Sequence, residues 1–147
     1  MDNLDKLFAH WKSLQPLSAR KQYLLGQRFT VDYNYNSNHI EGNTLTYGQT
    51  ELLLLLGKVS GEGDLRDFME MKASQASVKM LEEETKSSSV LTQNFIRQLH
   101  KTLLREDYTV YQNLPDGSET YYTIHAGCYK TRPNSVITRY GDRFDYA

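Results

Sequence analysis

The length of this chain, 147 residues, is typical of a single domain, and a chain of this size buries enough surface to form a hydrophobic core. With 24% charged residues and ordinary glycine and proline counts, the composition excludes fibrous and disordered chains. Its 17 basic and 18 acidic residues give a net charge of −1, so charge provides no basis for binding nucleic acid or an anionic membrane.

The sequence has one cysteine and no apolar run long enough for a signal peptide or a membrane span. These features exclude an internal disulfide, and we expect a cytoplasmic protein with no membrane partner and no nucleic-acid partner.

Two amphipathic helices are predicted at the N-terminus. Apolar residues recur at helical spacing from Leu4 to Leu14 and stop before Pro16, which predicts the first helix. Ser18 fits an N-cap for a long second helix that runs to about Glu41, with Gly42 as its C-terminal stop.

Three further helices are predicted before residue 107. Thr46 to Gln49 have the spacing of a capping box and open a third helix that carries the apolar run Leu52 to Leu56. The glycine-rich segment from Gly57 to Asp64 predicts a flexible loop. An apolar stripe between residues 65 and 81 predicts a fourth helix, and Thr92 fits the N-cap of a fifth.

The composition changes after residue 107, where seven of the 11 tyrosines lie. Turn signals occur at Pro115-Asp116-Gly117 and Tyr140-Gly141-Asp142, and the aromatic and β-branched runs between them predict hairpins. The segment Gly127 to Thr138 is predicted to form a hairpin with a proline-containing tip. The predicted fold class is therefore mainly α, with about five helices and a C-terminal β-hairpin.

The sequence offers no convincing metal ligands and no convincing catalytic residues. His39-Ile40-Glu41 matches one half of a zinc-deaminase signature, but the cysteine half is absent. Cys128 and His125 are close in sequence only, and a structural strand cysteine is the more common interpretation. We assign no metal ligand and no catalytic residue.

The segment from Ser37 to Asn43 is informative because its charge pattern is unusual. Ser37 and Glu41 are four residues apart, so on a helix they share one face. A carboxylate in the last helical turn faces the negative end of the helix dipole, which is unfavourable. Glu41 therefore has either a cationic partner or a function, although a solvated glutamate before a glycine stop is the simpler alternative.

The basic hairpin predicted from Gly127 to Thr138 is the second informative stretch. An edge strand of this kind can accept an extended peptide by strand addition. An ordinary surface hairpin is an equally good interpretation of the same residues.

Together these stretches resemble the Fic (filamentation-induced-by-cAMP) family, most of whose enzymes transfer AMP from ATP to protein hydroxyl groups. Ser37-x-x-x-Glu41-Gly42-Asn43 resembles the family's inhibitory motif, [Ser/Thr]-x-x-x-Glu-[Gly/Asn]. Residues Ile96 to Leu104 resemble the helix that follows, and Gly127 to Thr138 is similar to the flap hairpin. The resemblance implies a Fic-like helical bundle with the flap at its C-terminal end. It covers residues 37–147, and residues 1–36 are expected to form an N-terminal helical extension.

The resemblance also implies roles for individual residues. The inhibitory residues are Ser37, Glu41, Gly42 and Asn43; Ser37 steadies Glu41, which pairs with an arginine of the catalytic motif and keeps ATP out of the reactive pose. The part of the flap along the nucleotide comprises Val136, Ile137, Thr138 and Arg139. The part that docks the protein substrate comprises Tyr129, Lys130, Thr131, Arg132, Asn134 and Ser135. The implied cofactors are ATP and Mg²⁺, and the implied partner is a protein with a Ser, Thr or Tyr hydroxyl.

The family's catalytic motif, H-P-F-x-x-G-N-G-R-x-x-R, does not occur in this sequence. We therefore expect this chain to be the truncated, regulatory and flap-bearing portion of a self-inhibited Fic-type protein adenylyltransferase. We expect it to be inactive alone, and whether the chain itself is an enzyme stays open. An exposed apolar face is expected to cause self-association. Two alternatives stay open. The first is a standalone, non-enzymatic inhibitor or binding module that acts on a separate Fic protein. The second is a helical interaction domain or weak nucleic-acid binder whose resemblance to the family is incidental.

Overall fold

The computed structural model describes residues 3–87, 90–113, 117–132 and 134–146. In these ranges the chain forms five α-helices followed by four short β-strands, which confirms the predicted fold class. The helices are α1 (Asn3–Ser13), α2 (Ala19–Ile40), α3 (Tyr47–Leu56), α4 (Leu65–Lys86) and α5 (Gln93–Leu104). The strands are β1 (Tyr108–Asn113), β2 (Glu119–Ile124), β3 (Asn134–Ile137) and β4 (Arg143–Tyr146). The chain divides into two compact units, Met1–Met71 and Lys72–Ala147.

The predicted N-caps are confirmed. The Ser18 side chain accepts the Lys21 N–H at the start of α2, and the Thr92 side chain accepts the Phe95 N–H at the start of α5. At the start of α3, Thr46 and Gln49 form a reciprocal capping box. Each cap satisfies a backbone donor that has no partner within its helix.

The core of the first unit is built around α3. Leu53 and Leu54 of this helix are buried with Leu45, Phe68 and Met71 in one hydrophobic cluster. Leu45 lies in the segment between α2 and α3, and 1% of its surface is exposed. The core thus holds the residues just after α2 in place, because Leu45 cannot leave it without exposing apolar surface to water.

A single side chain closes the loop between α3 and α4. The Gln49 amide donates hydrogen bonds to the carbonyl oxygens of Ser60 and Glu62, both over 2.9 Å. Its carbonyl oxygen meanwhile accepts the Thr46 N–H in the capping box. One glutamine therefore fixes both the start of α3 and the loop that follows its end.

The apolar side chains of α1 are exposed. No residue of this helix is buried, and Leu4, Phe8 and Trp11 each keep more than half of their surface in contact with solvent. Phe8 and Trp11 stack with ring centroids 5.8 Å apart. Among the described helices, none has both the length and the apolar character needed to cross a membrane.

The four strands form two separate antiparallel pairs. β1 pairs with β2, with Tyr111 opposite Tyr121, and β3 pairs with β4, with Val136 opposite Phe144. The predicted turn residues Pro115 and Asp116 lie outside the described residues.

The C-terminal hairpin turns at the predicted signal Tyr140-Gly141-Asp142, but its first strand is not the one expected. Its turn spans Thr138 to Asp142, where the Thr138 N–H bonds to the Asp142 carbonyl and Gly141 adopts a φ of +90°. The expected tip at Pro133 lies outside the described residues, and the preceding residues 129–131 have no strand structure. A glycine that tolerates positive φ makes this turn favourable. The hairpin expected from Gly127 to Thr138 is not formed in the described residues, because β3 pairs with β4 instead.

The end of α5 is conformationally strained. Arg105 has a φ of +67°, and the Glu106 N–H bonds to the Leu104 carbonyl oxygen over 2.8 Å. This is a γ-turn with a positive φ, which a residue with a side chain adopts only at a cost in energy. It turns the chain from α5 into β1.

Candidate functional site

The predicted inhibitory residues lie at the C-terminal end of α2, where the backbone forms a Schellman motif. Glu41 is the C-cap residue, and Gly42 follows with a φ of +96°. The Gly42 N–H bonds to the His39 carbonyl over 3.1 Å, and the Asn43 N–H bonds to the Asn38 carbonyl over 3.0 Å. These two bonds satisfy carbonyl groups at the helix end, and the positive φ explains why glycine follows Glu41.

The side chain of Glu41 projects from this hydrogen-bonded turn. Glu41 is exposed, and within the described residues its carboxylate makes no hydrogen bond and no ion pair. Ser37 lies one turn earlier, half-buried, and no hydrogen bond joins the two side chains. The Glu41 carboxylate is therefore free to accept hydrogen bonds from a cation that approaches the end of α2.

The segment after Glu41 is anchored to the first turn of α4. The buried Asn43 side chain donates to the Asp67 carbonyl oxygen over 2.9 Å. The Asp67 carboxylate accepts both the backbone N–H and the hydroxyl of Thr44. Sequence analysis missed Asp67 because its partners lie more than 20 residues earlier in the chain.

A polar cluster joins the middle of α2 to the first residue of α3. The Asp32 carboxylate accepts hydrogen bonds from the Tyr47 hydroxyl and from Arg28, each over 2.6 Å. The Tyr47 bond, followed by the Arg28 bond, lowers the pKa of Asp32, and the same Asp32 contact raises the pKa of Tyr47. The i, i+4 spacing of Arg28 and Asp32 is a local pattern of the sequence, whereas the contact between Asp32 and Tyr47, 15 residues later, depends on the fold.

The first part of the predicted flap is exposed and irregular. Tyr129, Lys130, Thr131 and Arg132 are all exposed and belong to no strand. The Arg132 guanidinium lies over the ring of Tyr122, 5.5 Å from its centroid. This cation–π contact holds the segment beside β2.

The second part of the predicted flap forms β3 and the turn after it. Asn134, Ser135, Val136 and Ile137 make up β3, whereas Thr138 and Arg139 lie in the turn. Ser135 donates to Asp145 on β4, and Arg143 donates to both of these side chains. The Ser135 bond, followed by the Arg143 bond, lowers the pKa of Asp145. Among the described strands β3 pairs only with β4, so its other edge keeps main-chain groups that an extended peptide can use.

The first residue of the predicted flap segment, Gly127, is hydrogen-bonded to α5. Arg97 donates to the Gly127 carbonyl oxygen over 2.7 Å, and the Gly127 N–H donates to Nδ1 of His100 over 2.9 Å. Gly127 is buried with a φ of +78°, and an added Cβ would lie 3.1 Å from both the Arg97 carbonyl oxygen and the Lys101 Cβ. A side chain at this position would be strained by the positive φ and would crowd α5.

A second group of hydrogen bonds, around Asp107, holds the residues just before Gly127. The Asp107 carboxylate bonds to Nδ1 of His125 over 2.6 Å and accepts the Ala126 N–H over 2.8 Å. The His125 bond, followed by the Ala126 bond, lowers the pKa of Asp107. These four positions, Arg97, His100, Asp107 and His125, carried no recognisable spacing in the sequence, since the turn between β2 and the flap brings them together.

Within the described ranges no group of three or more His, Cys, Asp or Glu side chains is placed to hold a metal ion. Mg²⁺ that is bound to a nucleotide takes only one or two carboxylates together with phosphate oxygens. The Mg²⁺ that the resemblance implied stays an expectation.

These elements define a mainly helical protein with paired strands at its C-terminal end and two candidate segments, one at the end of α2 and one that contains β3. No family model and no curated protein match the sequence. A solved structure does: a Fic domain containing signaling protein from Bacteroides thetaiotaomicron VPI-5482, with 44% sequence identity and a TM-score of 0.79. The match covers 99% of this chain and 50% of that one, so this chain spans about half the length of its structural relative. The fold is Fic-like, as the resemblance implied.

Proposed function

We propose that this chain is the regulatory and flap-bearing portion of a self-inhibited, Fic-type protein adenylyltransferase. In this proposal the intact protein transfers AMP from ATP to a hydroxyl of a protein substrate, and Glu41 restrains that transfer. Residues 1–147 lack the catalytic motif and transfer no AMP alone. The 44% identity to a Fic domain containing protein over nearly the whole chain supports the proposal.

The observation that carries the proposal is the state of Glu41. A carboxylate at a helix C-terminus is repelled by the helix dipole, and this one has no partner in the described residues to offset that cost. An exposed carboxylate on a hydrogen-bonded turn is suited to bind a guanidinium in a bidentate manner. Pairing with Glu41 would occupy an arginine that the family uses for phosphate, because carboxylate and phosphate compete for the same fork of donors.

The flap segment supports the substrate half of the proposal. The open edge of β3 offers main-chain donors and acceptors to an extended peptide. The side chains of Ser135, Arg143 and Asp145 bind one another, which stiffens the hairpin that presents this edge. Strand addition would bring a substrate hydroxyl into register by backbone contacts, so the sequence of the substrate need not be strongly restricted.

The experiment measures AMP transfer by the intact protein of which, in this proposal, this chain is a portion, with ATP labelled at the α-phosphate. Glu41→Gln removes the charge and keeps the shape of the side chain, and we expect it to raise transfer to the protein itself and to other proteins about tenfold or more. Glu62→Gln is the matched control, since Glu62 is an exposed glutamate of the α3–α4 loop. Equal transfer by the wild-type protein and Glu41→Gln, with a folded protein in both cases, would refute the proposal.

A further inference from the structure

The residues that follow Glu41 at the end of α2 are held by side-chain hydrogen bonds. Asn43 has 4% of its surface exposed; its amide donates to the Asp67 carbonyl oxygen, and its Oδ1 accepts the Leu45 N–H over 3.2 Å. The Asp67 side chain binds Thr44 from the first turn of α4. Each of the three residues from Asn43 to Leu45 thus makes a hydrogen bond to Asp67 or to Asn43 that holds the segment in place.

The side chain of Glu41 adds nothing that could fix its position, because it has no partner among the described residues. The Glu41 N–H makes the last bond of the helix, to the Asn38 carbonyl oxygen over 3.1 Å, and Gly42 beside it has the largest backbone freedom of any residue type. The Asn43 N–H nevertheless closes the Schellman motif on the Asn38 carbonyl oxygen. The position of the Glu41 backbone therefore depends on where Asn43 is held.

We propose that Asn43 and Asp67 are positioning residues for Glu41, a role that rests on the proposed inhibitory function. The first contact is the hydrogen bond from the Asn43 amide to the Asp67 carbonyl oxygen, which acts through the backbone of residues 41–43. The second contact is between the Asp67 carboxylate and Thr44. Charge-assisted pairing with a guanidinium needs donor–acceptor distances of about 2.7–2.9 Å. A helix end that frays by an ångström loses that geometry, so an unanchored Glu41 inhibits poorly.

Asn43→Asp tests the hydrogen bond from the Asn43 amide to the Asp67 carbonyl oxygen. The replacement keeps the size of the side chain and its acceptor for Leu45, but it removes the amide that donates to Asp67. Asn36→Asp is the matched control, because the Asn36 amide makes a similar bond of 2.7 Å to the Asp32 carbonyl on an exposed part of α2. Asp67→Asn, which keeps one acceptor for Thr44, replaces Asn43→Asp as the test variant if thermal denaturation shows the latter to be unfolded.

The first measurement is hydrogen exchange at individual backbone amides. In Asn43→Asp we expect the amides of residues 42, 43 and 45 to exchange about tenfold faster, while those of residues 25–37 stay as in the wild type. The control should leave all of these rates unchanged. Wild-type protection at residues 42–45 in a folded Asn43→Asp protein would overturn the proposal.

The second measurement is AMP transfer by the intact protein. We expect Asn43→Asp to raise transfer about fivefold to tenfold and to add nothing in a Glu41→Gln background, since both changes then act through one carboxylate. If Glu41→Gln raises transfer and Asn43→Asp does not, the positioning role is wrong and the inhibitory function stands. If neither raises transfer, both are wrong.

Discussion

Replacing Gly127 by alanine is expected to destabilise the protein through two separable effects. At a φ of +78° an alanine costs about 1–2 kcal/mol relative to glycine. The new Cβ would also lie 3.1 Å from the Arg97 carbonyl oxygen and 3.1 Å from the Lys101 Cβ, and crowding of this kind costs about another 1–3 kcal/mol. The free energy of unfolding should therefore fall by about 2–5 kcal/mol.

Gly141→Ala is the matched control for this prediction. Gly141 also has a positive φ, +90°, but an added Cβ there would meet no atom within 4 Å. Urea denaturation followed by circular dichroism gives both free energies, provided that the m values agree. If the two variants lose the same free energy within about 0.5 kcal/mol, the close approach of Gly127 to α5 is refuted.

Three other predictions concern the core, the response to acid and the surface of α1. Leu45→Ala should lower the free energy of unfolding by about 2–5 kcal/mol in urea denaturation, and Leu56→Ala, at an exposed position, by less than about 1 kcal/mol. The lowered pKa of Asp107 stabilises the protein above the ordinary aspartate pKa of about 4, and this contribution disappears as the pH falls through the folded-state value. Denaturation curves at several acidic pH values should therefore show a weaker pH dependence for Asp107→Asn, and an unchanged slope would contradict the assignment. Light scattering should show concentration-dependent self-association that Trp11→Glu reduces, because the apolar side chains of α1 are exposed; a wild-type monomer at all concentrations would contradict this.

The helix limits could be predicted from the sequence because they depend on local chemistry. Ser18, Thr46 and Thr92 bind backbone groups only three residues away, so their spacing carries the whole signal. Gly42 likewise adopts its positive φ at little cost, so a glycine after a helical pattern is a local signal for the helix end. The resemblance to the Fic family rested on such short segments, and the fold that it implied is the one observed.

The contacts that hold the candidate segments could not be predicted, because they join residues that are distant in sequence. Asp67 was one acidic residue among 18 until the fold placed it beside Thr44. The γ-turn at Arg105 has no sequence signal, since glycine is the residue expected at positive φ. The turn at Gly141 had a local signal and was predicted, but the strand partner of β3 had none: β3 pairs with β4, whereas the sequence predicted pairing across Pro133.

The double hydrogen bond from Gln49 has a consequence for how the length of the α3–α4 loop can vary. Because one amide reaches both the Ser60 and the Glu62 carbonyl groups, the number of residues between these two positions is fixed. An insertion there would separate the two acceptors, while an insertion between Lys58 and Val59 leaves both within reach. Length variation among homologous loops, and any peptide tag engineered into this region, should therefore be tolerated on the α3 side of Ser60 and rejected between Ser60 and Glu62.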